Sequence, residues 1–235
     1  MSDEIKKLDV LNFFPNIQLV EEAKDLPPEQ IAEIEEHNRL AREKFLKEER
    51  QKEIDRLKRI GIEERYLDAS LESYECNTPE RKIVLQKVKA FIANYKAQTL
   101  WMVGNSGTGK TMLAAIICKE CYGSHYCKSY QIELALDDCK SFKATKSNSE
   151  LIKDLSDYPL LVIDEVGKFE SKEEVKYLFM IINERYEKNK STVLITNKNK
   201  KELAEYLGKP IYDRFTENCM SIEFNFDSYR INKRQ

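Results

Sequence analysis

Residues 104–111 read Gly-Asn-Ser-Gly-Thr-Gly-Lys-Thr, an instance of the pattern G-x-x-x-x-G-K-[ST] that wraps a nucleotide's phosphates. Gly104, Gly107 and Gly109 permit backbone angles that other residues resist, so the N–H groups of Asn105, Ser106, Gly107, Thr108 and Gly109 can turn inward as a cradle for anionic oxygens. Lys110 can then reach the β- and γ-phosphates of the nucleotide, and the Thr111 hydroxyl can bind Mg²⁺. Eight residues of this type also occur by chance, so the flanks have to agree. Upstream, Thr99-Leu100-Trp101-Met102-Val103 is a short apolar strand; downstream, Met112 to Tyr122 reads as a helix whose N-terminus points at the phosphates. Strand, glycine loop and helix together constrain the chain to an α/β nucleotide-binding core.

A second element, this one acidic, narrows the chemistry. Leu160-Leu161-Val162-Ile163 is a strand apolar on both faces, and Asp164-Glu165 stands at its end. Ligands bind at the carboxyl ends of the strands in parallel α/β sheets. Asp164 can hold the Mg²⁺ shell opposite Thr111, and Glu165 can orient and deprotonate an attacking water. This favours hydrolysis over transfer to an acceptor. A third strand, Thr192-Val193-Leu194-Ile195, runs into Thr196-Asn197, where the Asn197 amide can bond the γ-phosphate or the water.

The 235 residues allow one sizeable α/β core and an appendage. Charged residues are 34% of the chain but leave a net charge of −2, so any basic surface for nucleic acid has to be local. The mixed, acidic opening predicts no signal peptide, and with no long apolar run a cytoplasmic protein is expected, with no membrane partner. Cys118, Cys121, His125 and Cys127 have zinc-like spacing, yet they fall on the helix after the loop and on the next strand. There a buried cysteine acts as a small hydrophobe.

Two domains are expected, 1–60 and 61–235. In the first, Ile5, Leu8 and Leu11 offer a short apolar face beside Phe13 and Phe14. Prolines then open, and Gly61 closes, one long charge-rich helix from Pro28 to Ile60. Such a helix is either a solvated, charge-paired spacer or a docking arm. From Gly61 on, strands and helices alternate as in a parallel α/β sheet: helix 79–95, strand 99–103, helix 110–122, a strand near 125–130, a helix from Gln131, and another near 149–156. Strand 159–163, helix 172–188, strand 191–196, helices 200–207 and 209–217, and strand 220–224 complete the series. Lys140, Phe142, Lys143 and Lys146 interleave basic and aromatic groups, which suits single-stranded DNA, or equally a solvated loop with one anchoring Phe. Lys168 and Phe169 can line the same channel. Arg214 and Arg230 are either surface ion-pair residues or guanidinium groups that act on a γ-phosphate, including that of a neighbouring subunit.

Together these stretches resemble the AAA+ ATPases of the DnaC-type replicative helicase loaders, with the IstB-type transposition helpers as relatives. The similarity covers roughly residues 60–235. Besides the nucleotide motifs it rests on Gly61-Ile62, on Ala69-Ser70-Leu71-Glu72-Ser73-Tyr74, and on the ending Ile222-Glu223-Phe224-Asn225-Phe226-Asp227-Ser228-Tyr229-Arg230. The resemblance implies Walker A roles for Lys110 and Thr111, Walker B roles for Asp164 and Glu165, and a sensor-1 role for Asn197. It also implies an arginine finger acting in trans for Arg214 and a sensor-2-like role for Arg230. It further implies an ATPase with Mg²⁺ that self-associates, holds a replicative DNA helicase hexamer through residues 1–60, and grips single-stranded DNA. The rivals are a transposition helper working on a transposase and duplex DNA, and a regulatory module in which ATP switches contacts with little turnover. Only five residues follow Arg230, which predicts a core without a C-terminal helical lid, and no cysteine precedes Cys76, so a zinc-binding N-terminal domain is not expected.

Overall fold

A computed structural model describes residues 27–141 and 145–229. The chain divides into two units at Arg56 and Leu57. Within the first runs most of helix α1 (Pro28–Arg59), entered at a proline that fits the first helical turn. Its apolar residues are too sparse for a continuous stripe, and its surface is laced by charge pairs one turn apart. Arg39 reaches both Glu36 (2.6 Å) and Glu43 (3.0 Å), and Lys52 meets Glu49 (2.7 Å). Leu40 and Leu46 are exposed.

The second unit begins with a one-turn 3₁₀ helix (Glu64–Tyr66) and α2 (Pro79–Asn94), capped by Thr78 with Pro79 in its first turn. Then come β1 (Thr99–Gly104), α3 (Lys110–Glu120), β2 (Ser124–Lys128), α4 (Ser129–Asp138) and α5 (Asn148–Asp157). After these follow β3 (Leu160–Asp164), α6 (Lys172–Glu187), β4 (Ser191–Ile195), α7 (Lys200–Leu207), α8 (Lys209–Thr216) and β5 (Cys219–Phe224). The five strands form one sheet in the order β2-β3-β4-β1-β5, and every pairing is parallel. β3 and β4 are buried at every residue, as central strands covered on both faces should be. The expected parallel sheet flanked by helices is therefore the observed one.

Most element boundaries fall within one or two residues of the sequence reading, and two of the differences have a clear local reason. The strand near 125–130 stops at Lys128, because the Lys128 N–H donates to Gln131 Oε1 (2.9 Å), a capping contact that starts α4 at Ser129. The strand read as 159–163 extends to Asp164, whose backbone pairs in register with Lys128.

One face of the sheet packs on α4–α8 around Trp101, Leu161, Ile163, Leu178, Ile181 and Phe215. Arg185 of α6 is inside this layer, 1% exposed, at a position where the helix face predicts an apolar residue. Its guanidinium donates to Thr192 Oγ1 (2.8 Å), to the carbonyls of Leu155 (3.0 Å), Ser156 (3.2 Å) and Tyr158 (2.9 Å), and to Ser191 O. Its donors are thus consumed by neutral acceptors from α5, the following turn and β4, which is how a buried charge is tolerated. Burial pulls its pKa down to about 9.

Candidate nucleotide-binding site

β1 ends at Gly104 and α3 begins at Lys110, so the intervening loop opens at the carboxyl edge of the sheet. Gly109 has φ +97°, and a Cβ there would lie 2.9 Å from Tyr74 Cε2, so only glycine fits this turn. Thr108 locks the loop from within, its Oγ1 donating to Asn105 O (2.8 Å), while Asn105 Nδ2 donates to Phe226 O (3.3 Å). Lys110 is buried at 6% exposure, and its ammonium donates to Gly104 O (2.7 Å) and Asn105 O (2.6 Å). Burial pulls its pKa down to about 8 although Asp164 opposes the shift. An anion near this ammonium would be strongly favoured.

Asp164, at the end of β3, is 3% exposed. Its Oδ2 accepts from Thr111 Oγ1 (2.8 Å) and from the Tyr126 hydroxyl (2.7 Å), and its Oδ1 accepts from the Glu165 N–H (2.6 Å). Burial nevertheless raises the Asp164 pKa, against those three donors. Next to it, Glu165 occupies the left-handed region at φ +60°, an uncommon conformation for a residue with a Cβ and one that clusters at functional sites. Its Oε1 pairs with Lys168 Nζ (2.9 Å), and its Oε2 is buried with no hydrogen-bond partner.

Ser106, Gly107, Thr108, Gly109, Lys110, Thr111, Asp164, Glu165 and Asn197 line one cavity of about 580 Å³. Gly104 and Asn105 stand at the start of the loop and hold it in place rather than face that space. Asn197 reaches the cavity because β4 lies beside β1 and β3, so its end opens on the same edge. The remaining candidates are elsewhere. Arg214, on α8, lines a different cavity of about 450 Å³ together with Thr99 and Thr192, which begin β1 and lie near the start of β4, at the opposite end of the strands. Its Nη1 donates to Pro210 O (2.9 Å), and its guanidinium lies 5.5 Å from the Phe179 ring centre. Lys140 and Lys146 are paired with Asp137 (2.6 Å) and Asp154 (2.6 Å). Phe142, Lys143 and Arg230, with the N-terminal Ile5, Leu8, Leu11, Phe13 and Phe14, lie outside the described residues.

Several residues of the site carry no sequence motif. Tyr66, with the Arg65 guanidinium 4.7 Å from its ring centre, joins Tyr74, Arg81 and Tyr229 in lining the cavity beyond the loop. The Tyr74 hydroxyl is buried without a hydrogen-bond partner, and burial pushes its pKa up to about 12. Tyr229 bonds back to the loop through its N–H to Gly107 O (2.9 Å), and its hydroxyl donates to Glu75 Oε1 (2.6 Å) before α2. The tyrosines at 74 and 229 fall within stretches the family resemblance rests on. Tyr126, which holds Asp164, belongs to no such stretch.

The family model described as IstB-like ATP binding protein matches residues 29–235. The chain belongs to this family. Among curated relatives, the Replicative helicase loader DnaC of Escherichia coli (strain K12) is 33% identical over 181 residues, 73% of each chain. The loader of the same name from Buchnera aphidicola subsp. Schizaphis graminum is 30% identical over 207 residues, 83% of each chain. The crystal structure of the DnaC helicase loader superposes with a TM-score of 0.62 at 23% identity, covering 69% of this chain and 100% of that one. The fold is thus that of the AAA+ P-loop proteins, and the resemblance to DnaC-type loaders holds. Among the described residues no helix is long and apolar enough to cross a membrane. Nor, among those residues, do three or more His, Cys, Asp or Glu side chains gather as a metal cage.

Proposed function

We propose that this chain is an AAA+ ATPase that loads a replicative DNA helicase hexamer onto single-stranded DNA in the cytoplasm, with ATP hydrolysis timing its release. The observation that carries the reading is the hydrogen bond from Thr111 to Asp164 (2.8 Å), which joins the two motifs at one cavity beside Lys110. Relatives at about a third identity that bear the name of helicase loader support the choice of partner.

On this reading the ATP phosphates lie along the loop from Gly104 to Thr111. Lys110 exchanges the carbonyls of Gly104 and Asn105 for β- and γ-phosphate oxygens, regaining a charged partner for its buried ammonium. Thr111 and Asp164 fit a divalent cation: one hydroxyl and one buried carboxylate are hard oxygen donors, and Mg²⁺ takes only one or two protein ligands beside phosphates and water. Mg²⁺ held there would neutralise charge on the β- and γ-phosphates. Glu165 takes a proton from the attacking water, and Asn197 orients that water or the γ-phosphate. Arg214, remote from the cavity of its own chain, reaches the γ-phosphate of a neighbouring copy, while Arg230 contacts the phosphates as a sensor. Residues 1–60 form the helicase-docking arm and 61–235 the ATPase domain. Lys140, Phe142, Lys143 and Lys146 meet the DNA.

Glu165→Gln tests the chemistry. It should bind ATP as tightly as the parent and hydrolyse it at least about 100-fold more slowly. A parent protein with no turnover, with or without single-stranded DNA, or a variant with unchanged turnover, would contradict the ATPase reading.

A further inference from the structure

Tyr126 belongs to none of the nucleotide motifs, yet it is the side chain most tightly bound to the acidic pair from outside them. In the parallel register of β2 on β3, Tyr126 stands opposite Val162, and alternate residues of a strand share a face. Val162 and Asp164 are therefore on one face, and a phenol projecting from Tyr126 reaches one rung up to the carboxylate. The hydroxyl-to-Oδ2 distance is 2.7 Å, and Tyr126 is 4% exposed. The same oxygen takes the Thr111 hydroxyl, and the other is held by the Glu165 N–H.

The backbone of Tyr126 is held as firmly as its side chain. Its N–H donates to Ile60 O (2.7 Å), and Gly61, at φ +94°, lies against its carbonyl so closely that a Cβ there would come within 1.9 Å of Tyr126 O. The turn at Ile60 and Gly61 thus grips the main chain of Tyr126 while the phenol grips Asp164.

We propose that Tyr126 is a positioning residue for the divalent-cation site, holding Asp164 Oδ2 toward the phosphate loop beside the Thr111 hydroxyl, where the two oxygens would hold the cation. The proposal rests on the reading of Asp164 as the cation-side carboxylate. Without the phenol, two of the three donors remain, and Oδ2 keeps only the Thr111 hydroxyl, whose oxygen would itself face the cation. The turn at 60–61 and the cation are then linked: a displacement of the turn that shifts β2 changes cation affinity, and cation binding resists that displacement equally.

Tyr126→Phe keeps the ring and removes one hydrogen bond to a charged group. The measurement is equilibrium binding of a fluorescent ATP analogue during titration with Mg²⁺, and separately in EDTA, together with a thermal melt to show that the variant is folded. The Mg²⁺ midpoint should rise about tenfold, the loss of one such bond, while binding in EDTA is unchanged. Added to Asp164→Asn, which alone should abolish the Mg²⁺ dependence, Tyr126→Phe should have no further effect. An unchanged midpoint in a folded Tyr126→Phe protein, with Asp164→Asn still losing the dependence, overturns the role of Tyr126 alone. A full additive effect on top of Asp164→Asn overturns it too, since Tyr126 would then act elsewhere. Unchanged Mg²⁺ dependence in Asp164→Asn sinks the cation reading and this inference with it.

Discussion

His125 stacks on the Tyr158 ring at a centroid distance of 4.5 Å and an angle of 10°, and burial holds its pKa below the ordinary histidine value. The unfolded chain therefore takes up a proton near pH 6.5 that the folded chain refuses until lower pH, so this site's contribution to stability is lost as pH falls below about 6.5. His125→Phe keeps a ring on Tyr158 and has no proton to bind. Its melting temperature minus that of the parent should be flat above neutrality and grow as pH drops from about 6.5 to 5.5. A difference independent of pH would show that His125 keeps its ordinary titration. The residues legible in the sequence are those whose chemistry allows few alternatives: Lys110 and Thr111 need a glycine loop, and Asp164 needs a strand end beside it. Tyr126 was not legible, because its partner is 38 positions away and is reached only once β2 pairs with β3. Arg185 was hidden for the opposite reason. It shares a helix face with Leu178 and Ile182, and the sequence does not show the ring of carbonyls that makes a buried guanidinium tolerable there.

At the level of elements, apolar runs such as 99–103 and 160–163 identified strands nearly to the residue, because both faces of a central parallel strand are covered. The order of the strands was less accessible: β1 lies between β4 and β5, and strands of similar apolar composition do not advertise their neighbours. Within the second unit, the turn at Ile60 and Gly61 meets β2 through a residue with no latitude. Gly61 has a positive φ and no room for a side chain against Tyr126 O, so Gly61→Ala carries both backbone strain and a clash with main chain. It should destabilise the second unit by about 2–4 kcal/mol, roughly 5–15 °C in the melting temperature. A melt within about a degree of the parent would mean that the turn moves aside freely.

On the scale of the whole molecule, the fold places one end of the sheet at the phosphate loop and Arg214 at the other. If Arg214 completes the site of a second copy, Arg214→Ala and Glu165→Gln proteins should each bind ATP and each be inactive in hydrolysis. Their mixture should regain part of the parent rate, since an intact Arg214 from one meets an intact Glu165 in the other. No recovery on mixing, or an Arg214→Ala protein with parental turnover, would remove the trans role. Residues 1–60 are the part of the chain least specified by motif. From Pro28 on, what the sequence conveyed was helix and charge pairing, and the structure carries both in α1. What such a surface binds is decided by its partner. The decisive experiment is therefore to mix the purified chain with the host's replicative helicase, with and without ATP, and to weigh the product. The helicase-loader reading predicts an ATP-sensitive complex that is lost when residues 1–60 are removed; no complex in any nucleotide condition would contradict it.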